Sequence, residues 1–399
     1  MKIVEVQWHN YRLPFRNNFI TAHGAMTARE GIIVQITTER GISGIGEIAP
    51  LPAFGGAGLA DACSLLPVLA ARLHDKTLDE ALELVYGVRW RATPSLGWRP
   101  QGSPPRLPTT PALTMTHDGW AVVALCGLEM ALLDAMGKAE GRGVCTLLSP
   151  AGTAPRAKVP VNAVIGALAP GAAIAAAREA RKDGFRCVKL KVGLGGSIQE
   201  EIERVAAVRE AIGPAMHLRL DANEAWNLEE AIAILSQYVP YHIQYVEQPL
   251  KAHDLTGMHA LRQAVPIPIA VDEALHSLES AQFVLDNEAA DILVIKPQLA
   301  GGLRVGQQII QAAAERGVRS VITSTLEAGI GLAAALHLAA ASPAVTLEYG
   351  FATLHLLIDD LVMDDLSISD GLLAVPTGPG LGIALDREAL DRYSFRGFD

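Results

Sequence analysis

The first 50 residues alternate between apolar and polar positions as β-strands do. The stretch MKIVEVQWHNYRL is followed by a loop at RNNFITAHGAMTARE, after which GIIVQITTERG and ISGIGEIAP alternate again. Successive side chains of a strand point to opposite faces, so this pattern predicts a β-meander. The next two segments, DACSLLPVLAARL and LDEALELVYG, repeat apolar residues at helical spacing. The N-terminal part is therefore predicted to be an α+β unit.

A segment without periodicity separates this unit from the rest of the chain. Residues 89–111 concentrate Pro, Gly, Arg and Trp, which is typical of an irregular surface loop. The stretch WAVVALCGLEMALLDAMGKAEG after it has apolar spacing and a Gly stop, and predicts a helix.

From Val159 onward, short apolar runs alternate with Ala-rich amphipathic segments. Eight runs are found: VPVNAVIG, FRCVKLKVG, HLRLDAN, YHIQYVEQP, IPIAVDEA, DILVIKPQ, VRSVITST and AVTLEYG. Near-continuous apolar strands separated by helices indicate an α/β fold with a parallel sheet covered by helices. Eight such units favour a closed (β/α)8-type barrel over an open doubly wound sheet.

Composition narrows the class of partner. Half of the 399 residues are apolar and the formal net charge is -10, with no basic tract. This argues against nucleic acid as a partner, because phosphate binding draws on clustered Lys and Arg. No signal peptide and no apolar run long enough for a membrane helix is present, so we expect a cytoplasmic protein without a membrane partner. Its four scattered cysteines are expected to be reduced core residues.

Polar residues recur near the ends of five successive runs. Lys191, Asp221, Glu247, Asp272 and Lys296 follow one another at spacings of 30, 26, 25 and 24 residues, about one βα unit each time. Strand ends of a (β/α)8 barrel open onto one mouth, so these side chains are predicted to meet there. A single such motif is more often an edge strand, a turn or a helix cap. Five motifs in register favour a functional site.

The residue types at these positions indicate a metal site with flanking bases. Three carboxylates that converge without His or Cys suit Mg²⁺ or Mn²⁺, which makes Asp221, Glu247 and Asp272 the predicted ligands. Lys189 and Lys191 share one face of their strand and flank the cluster on one side, and Lys296 flanks it on the other. A partly desolvated lysine near other cations has its pKa lowered, so we expect these lysines to deliver a base.

The ordered motifs KLK, DAN, EQP, DEA and IKP resemble those of the enolase superfamily, in its muconate-lactonizing-enzyme subgroup. The resemblance covers nearly the whole chain and implies a modified (β/α)7β TIM-type barrel with an N-terminal α+β capping domain. On this basis residues 1–125 form the cap, completed by about 370–399, where PTGPGLGI leads the chain back, and residues 126–369 form the barrel. The insertion at 89–111 has no counterpart in the family.

The resemblance also implies roles for the charged residues. Asp221, Glu247 and Asp272 would bind Mg²⁺, Lys191 would be a base, and Lys296 would be its counterpart on the opposite face. Lys189 would lower the pKa of Lys191 through like charge. The shared step is removal of a proton α to a carboxylate, which gives an enediolate.

The stretches at 323–341 and 348–362 resemble most the o-succinylbenzoate synthases of menaquinone synthesis. The implied reaction is dehydration of 2-succinyl-6-hydroxy-2,4-cyclohexadiene-1-carboxylate, a small carboxylate. N-acylamino acid racemases, dipeptide epimerases and muconate cycloisomerases are the alternatives. The Asp-x-Asp that dipeptide epimerases carry after the last barrel strand is lacking. A non-catalytic metal-dependent binding protein of the same fold is the alternative from another class, and homo-oligomerisation is left open.

Further residues are predicted to contact the substrate. Two cap loops, at 17–25 and 50–56, resemble loops that close over the barrel mouth, and others lie at barrel strand ends. The predicted contacts are Phe19, Thr21, Leu51 and Phe54 from the cap and Asn162, Asn223, Ser324, Thr325 and Glu327 from the barrel.

Overall fold

A computed structural model describes residues 1–21, 24–52, 58–87, 120–166 and 169–395. The predicted loop at 89–111 and the predicted contact Phe54 lie outside these residues, as does the side chain of Thr21. None of the helices within the described ranges is long and apolar enough to cross a membrane.

The N-terminal sheet has three antiparallel strands in the order β1-β2-β3, as the meander predicted. They are β1 (Ile3–Thr21), β2 (Gly24–Thr38) and β3 (Ser43–Ile48). The loop predicted at 16–30 is wrong for most of its length, because Phe19 pairs with Met26 and Thr21 with Gly24 in a long hairpin. A register shift between Pro14 and Phe19 absorbs the residues that break the alternation.

Three helices belong to this part of the chain: α1 (Leu59–Leu73), α2 (Leu78–Gly87) and α3 (Trp120–Glu140). Helix α3 packs so closely on β3 that a Cβ at Gly44 would lie 2.0 Å from the carbonyl oxygen of Ala131, and one at Gly46 equally close to that of Gly127. The glycines of SGIGE are thus required for the contact. The predicted domain boundary after residue 125 falls inside α3, and the division into domains stays a prediction.

A short strand, β4 (Lys158–Pro160), comes next along the chain. The second sheet follows it and is parallel, with the order β11-β10-β9-β8-β7-β6-β5. Its strands are β5 (Ala163–Ile165), β6 (Cys187–Lys191), β7 (His217–Asp221), β8 (Ile243–Glu247), β9 (Ile269–Val271), β10 (Ile292–Ile295) and β11 (Arg319–Ile322). The last predicted run closes the barrel: the Tyr349 amide donates to Pro160 O (2.8 Å) and the Ser324 amide to Gly350 O (3.1 Å). The predicted barrel with an N-terminal α+β unit is confirmed.

Helices alternate with these strands and cover the sheet. They are α4 (Val144–Leu148), α5 (Pro170–Lys182), α6 (Ile198–Ile212), α7 (Leu228–Tyr238), α8 (Leu255–Ala264), α9 (Leu278–Asp286), α10 (Pro297–Ala300), α11 (Leu303–Glu315) and α12 (Gly329–Ala340). Ser197 and Asn227 begin α6 and α7 as capping boxes, each accepting from the amide three residues on. The sequence thus sets where these two helices start.

The C-terminal segment returns to the N-terminal sheet. Strands β12 (Ile368–Ser369) and β13 (Leu372–Ala374) extend β4 into a small sheet of order β12-β13-β4. Helix α13 (Arg387–Tyr393) follows, and Ser394 then forms a β-bridge with Tyr11.

A buried ion pair lies toward the end of the barrel that is opposite the carboxyl ends of the strands. Arg219 of β7 is fully buried and donates to Glu348 Oε2 (2.7 Å), Glu348 O (2.8 Å) and Gln244 Oε1 (2.6 Å). Its guanidinium also stacks 4.8 Å from the centre of the Tyr245 ring. Glu348, which belongs to the run that closes the barrel, is thereby bound to β7.

We expect Arg219→Met to lower the free energy of unfolding by about 3–5 kcal/mol, because it leaves the Glu348 carboxylate buried without its cation. Urea denaturation measures the change. The double variant Arg219→Met/Glu348→Leu removes both charges and should recover most of the loss. A double variant no more stable than the single one would contradict this account of the pair.

Candidate active site

Six charged side chains that the sequence predicted to form a site lie at one end of the barrel. Lys191 is the last residue of β6 and is paired directly with Asp221 at the end of β7, which is paired with Glu247 at the end of β8. Asp272 and Lys296 come immediately after β9 and β10, and Lys189 precedes Lys191 by two positions on the same strand face. The structure thus brings together the residues that the sequence predicted to meet.

The lysines lie directly against the carboxylates. Lys189 Nζ is 3.0 Å from Glu247 Oε1 and 3.2 Å from Asp221 Oδ2, and Lys191 Nζ is 2.7 Å from the same Asp221 oxygen. Lys296 donates to both carboxylate oxygens of Asp272. Because all three carboxylates are buried, each ammonium group compensates a charge that water cannot reach.

This arrangement shifts pKa values in opposite directions. Burial raises the pKa of Glu247 to about 7, whereas Lys189 and Lys191 outweigh burial at Asp221 and hold its pKa below the ordinary value. At Lys189 and Lys296 burial acts to lower the pKa, but the neighbouring carboxylates, Asp221 and Asp272 first among them, raise it. The predicted lowering of the lysine pKa is therefore not seen at these two residues.

The donor set suits a hard divalent cation by its chemistry. All donors are carboxylate oxygens, as Mg²⁺ and Mn²⁺ prefer, and the buried Asp221 Oδ1 has no hydrogen-bond partner among the described residues. In the part of the chain that the structure describes, no group of three or more His, Cys, Asp or Glu residues is spaced to hold an ion. The ammonium groups lie against the oxygen atoms that an ion would need.

The two predicted substrate contacts Asn223 and Asn162 have different hydrogen-bond partners. Asn223 lies at the site: its Oδ1 accepts from Lys191 and its Nδ2 donates to Glu273 Oε1 (2.9 Å). Asn162 is buried and accepts from Arg219 (3.2 Å), so its oxygen faces the barrel interior.

The other predicted substrate contacts lie in the loop after β11 and in the cap. Ser324 Oγ lies 2.9 Å from Thr353 Oγ1, while Thr325 and Glu327 are buried and hydrogen-bonded to each other. Phe19 stacks on Phe15 with ring centres 5.6 Å apart, and Leu51 is buried. These internal contacts leave the substrate-binding roles of the five residues as predictions.

Two residues at the site were not predicted from the sequence, although they lie within the motifs EQP and DEA. Gln248 of EQP is fully buried, and its Oε1 accepts from the backbone amides of Asp272 (3.0 Å) and Ala274 (3.3 Å). Glu273 of DEA faces Asn223, and burial raises its pKa to about 8. Gln248 therefore connects the chain just after β8 to the chain just after β9.

Two family models match the chain. One, described as "Enolase C-terminal domain-like", matches residues 172–389, and the other, "MenC, N-terminal domain", matches residues 3–88. The first spans more than half of the chain.

Relatives and a solved structure agree with these matches. The o-succinylbenzoate synthase of Thermobifida fusca is 38% identical over 55% of this chain and 67% of its own length. The L-Ala-D/L-Glu epimerase of Bacillus subtilis is 28% identical over 96% of this chain and 97% of its own. The muconate lactonizing enzyme of Pseudomonas fluorescens has a similar fold, with a TM-score of 0.85 at 24% identity over 99% of each chain.

We expect Gln248→Met to lower the free energy of unfolding by about 1–3 kcal/mol, because it leaves two buried backbone amides without an acceptor. Chemical denaturation measures the loss. Gln307→Met is the control, since Gln307 bonds a single carbonyl, that of Leu148, and should cost less. Equal losses in the two variants would contradict the role given to Gln248.

Proposed function

Because this chain belongs to the enolase superfamily, we propose that it is an o-succinylbenzoate synthase. In this reaction 2-succinyl-6-hydroxy-2,4-cyclohexadiene-1-carboxylate loses water to give 2-succinylbenzoate. Support for this member of the superfamily comes from the N-terminal match to the MenC model and from the synthase that is 38% identical. The reaction belongs to menaquinone synthesis and to the carbon–oxygen lyases.

The observation that carries the enediolate chemistry of the proposal is the position of Lys191 and Lys296 on opposite sides of a row of buried carboxylates. Lys191 reaches the row through Asp221 and Lys296 through Asp272. A substrate carboxylate drawn to this mouth would have an ammonium group on each face. A lysine base together with Mg²⁺ is one of the established ways in which this superfamily forms an enediolate.

Lys191 and Lys296 carry the proposed steps. Neutral Lys191 takes the α-proton, and the electron pair of the C–H bond moves into the carboxylate to form the enediolate. The electrons then return to the ring, the C–O bond to the hydroxyl breaks, and the Lys191 ammonium gives its proton to the leaving oxygen on the same face, so that water departs. Lys296 stays charged and stabilises the negative intermediate.

Asp221, Glu247 and Asp272 would hold the divalent ion. When bound, Mg²⁺ or Mn²⁺ would supply positive charge beside the developing enediolate. Asn223 would steady the Lys191 ammonium through the bond that joins them. Gln248 would hold the backbone of Asp272 in place for the ion.

A racemase or epimerase activity is the second candidate, since two lysines on opposite faces can remove and return an α-proton. The epimerase relative that aligns over nearly the whole chain favours it. Against it stands the closing segment of the barrel, where the carboxylate of Glu348 is engaged by Arg219 and His217 at the far end. Glu348 is thus unavailable at the mouth to hold a substrate amino group.

We expect purified protein with Mg²⁺ to consume the cyclohexadiene carboxylate, followed by loss of its ultraviolet absorbance. Lys191→Ala should lower kcat by about 10²–10⁴-fold or more, because it removes the acid and the base together. Arg178→Ala, a surface change on α5, is the control. Absence of turnover by wild-type protein would reject the synthase. Exchange of α-protons in deuterium oxide, measured with N-acylamino acids and dipeptides, would then test the second candidate.

We expect Mg²⁺ to raise the melting temperature of the EDTA-treated protein, since a ligand at about 100 times its Kd stabilises the folded state by about 2.7 kcal/mol. Asp221→Asn should abolish most of this shift, because it removes a charge from the predicted ligand set. Asp254→Asn, at the start of α8 and outside the set, should retain the full shift. A shift that persists undiminished in Asp221→Asn would show that the ion binds elsewhere.

A further inference from the structure

A carboxylate of the N-terminal sheet lies on the first turn of a barrel helix beside the mouth. Glu47 of β3 is fully buried. Its Oε1 accepts from the Tyr11 hydroxyl (2.5 Å) and from the Ala328 amide (2.8 Å), and its Oε2 accepts from the Gly331 amide (2.8 Å). Ala328 and Gly331 lie at the start of α12, where amides lack partners within the helix.

The segment held in this way is the loop that joins β11 to α12. Glu327, the residue before Ala328, packs its side chain on Gly331, where a Cβ would lie 2.6 Å from Glu327 Cγ and 3.1 Å from Glu47 Oε2. Arg29 of β2 is buried and donates to the Leu326 carbonyl (3.1 Å) and the Pro50 carbonyl (2.6 Å). The loop is therefore fixed from the N-terminal sheet at Leu326, Ala328 and Gly331.

The same strand also holds the residues after Lys296. Gln298 is fully buried, and its Nε2 donates to Glu47 O (2.7 Å) while its Oε1 accepts from the Ala49 amide (3.3 Å). The short segment of β3 around Glu47 thus contacts the chain after β10 and the chain after β11. Both follow strands that end at the mouth.

We propose that Glu47 is a positioning residue: it sets the place of the loop Thr323–Ala328 against the mouth and acts on the reaction through that loop. The kinetic part of the proposal rests on the proposed function. Glu47 makes its contacts with Tyr11 and with backbone amides, outside the set of lysines and carboxylates at the strand ends.

The chain offers a matched control in Glu129 of α3. This carboxylate is also buried and accepts from a tyrosine, Tyr86 (2.9 Å), and from two amides at the start of α11, those of Leu303 (2.6 Å) and Arg304 (2.9 Å). It is the same type of contact on a different helix. A loss of stability alone should affect the Glu47 and Glu129 variants alike, whereas a loss of loop position should affect only the first.

The test is hydrogen–deuterium exchange with mass spectrometry, together with steady-state kinetics, on Glu47→Gln, Tyr11→Phe and Glu129→Gln. In Glu47→Gln, exchange in a peptide covering 323–331 should rise about tenfold, and kcat should fall about tenfold because a small misplacement is costly. Tyr11→Phe, which keeps the carboxylate, should change both in the same direction by less. Glu129→Gln should raise exchange around 303–306. It should leave the exchange over 323–331 and kcat nearly unchanged.

Unchanged exchange over 323–331 in both Glu47→Gln and Tyr11→Phe would overturn the proposal. An equal fall of kcat in Glu129→Gln would overturn its kinetic part, because general destabilisation would then explain the loss. If the wild-type protein turns over no cyclohexadiene substrate, the proposed function fails by itself. The exchange measurements still decide whether Glu47 positions the loop.

Discussion

A parallel sheet that closes on itself delivers the carboxyl end of each strand to the same mouth, and the rest of this structure follows from that constraint. Lys191, Asp221 and Glu247 are paired in register across three neighbouring strands. Charges brought this close in a dry environment must be compensated. The mouth is therefore built from a row of three carboxylates with lysines at both ends of the row.

The backbone that carries these charges adopts uncommon φ values, and buried amide groups hold it in place. Asn223, Gln248 and Leu326, which follow the ends of β7, β8 and β11, adopt φ values of +43°, +38° and +63°. Residues with side chains rarely adopt such values, and their cost is met elsewhere in the fold. Gln248 supplies part of this support, since one side chain binds the backbone on both sides of Glu273.

The motif residues could be predicted from the sequence because one βα unit places one strand end, so spacing along the chain maps onto position around the barrel. Contacts between distant segments carry no such periodic signal. Glu47 reaches amides 281 and 284 positions away, and Arg219 reaches a carboxylate 129 positions away. The extension of the β1–β2 hairpin through residues 16–30 was also missed, because an irregularity after Pro14 interrupts the alternation.

The two ends of the barrel differ in role: one contains a buried ion pair that contributes to stability, and the other contains the candidate site. At the far end, Arg219 and Glu348 form a buried ion pair, as expected for the face of such barrels that serves stability. A synthase and an epimerase are both relatives of this chain, so the substrate is not determined by membership of the superfamily alone. The loop Thr323–Ala328, which Arg29 and Glu47 hold from the N-terminal sheet, is where we expect part of that choice to be made.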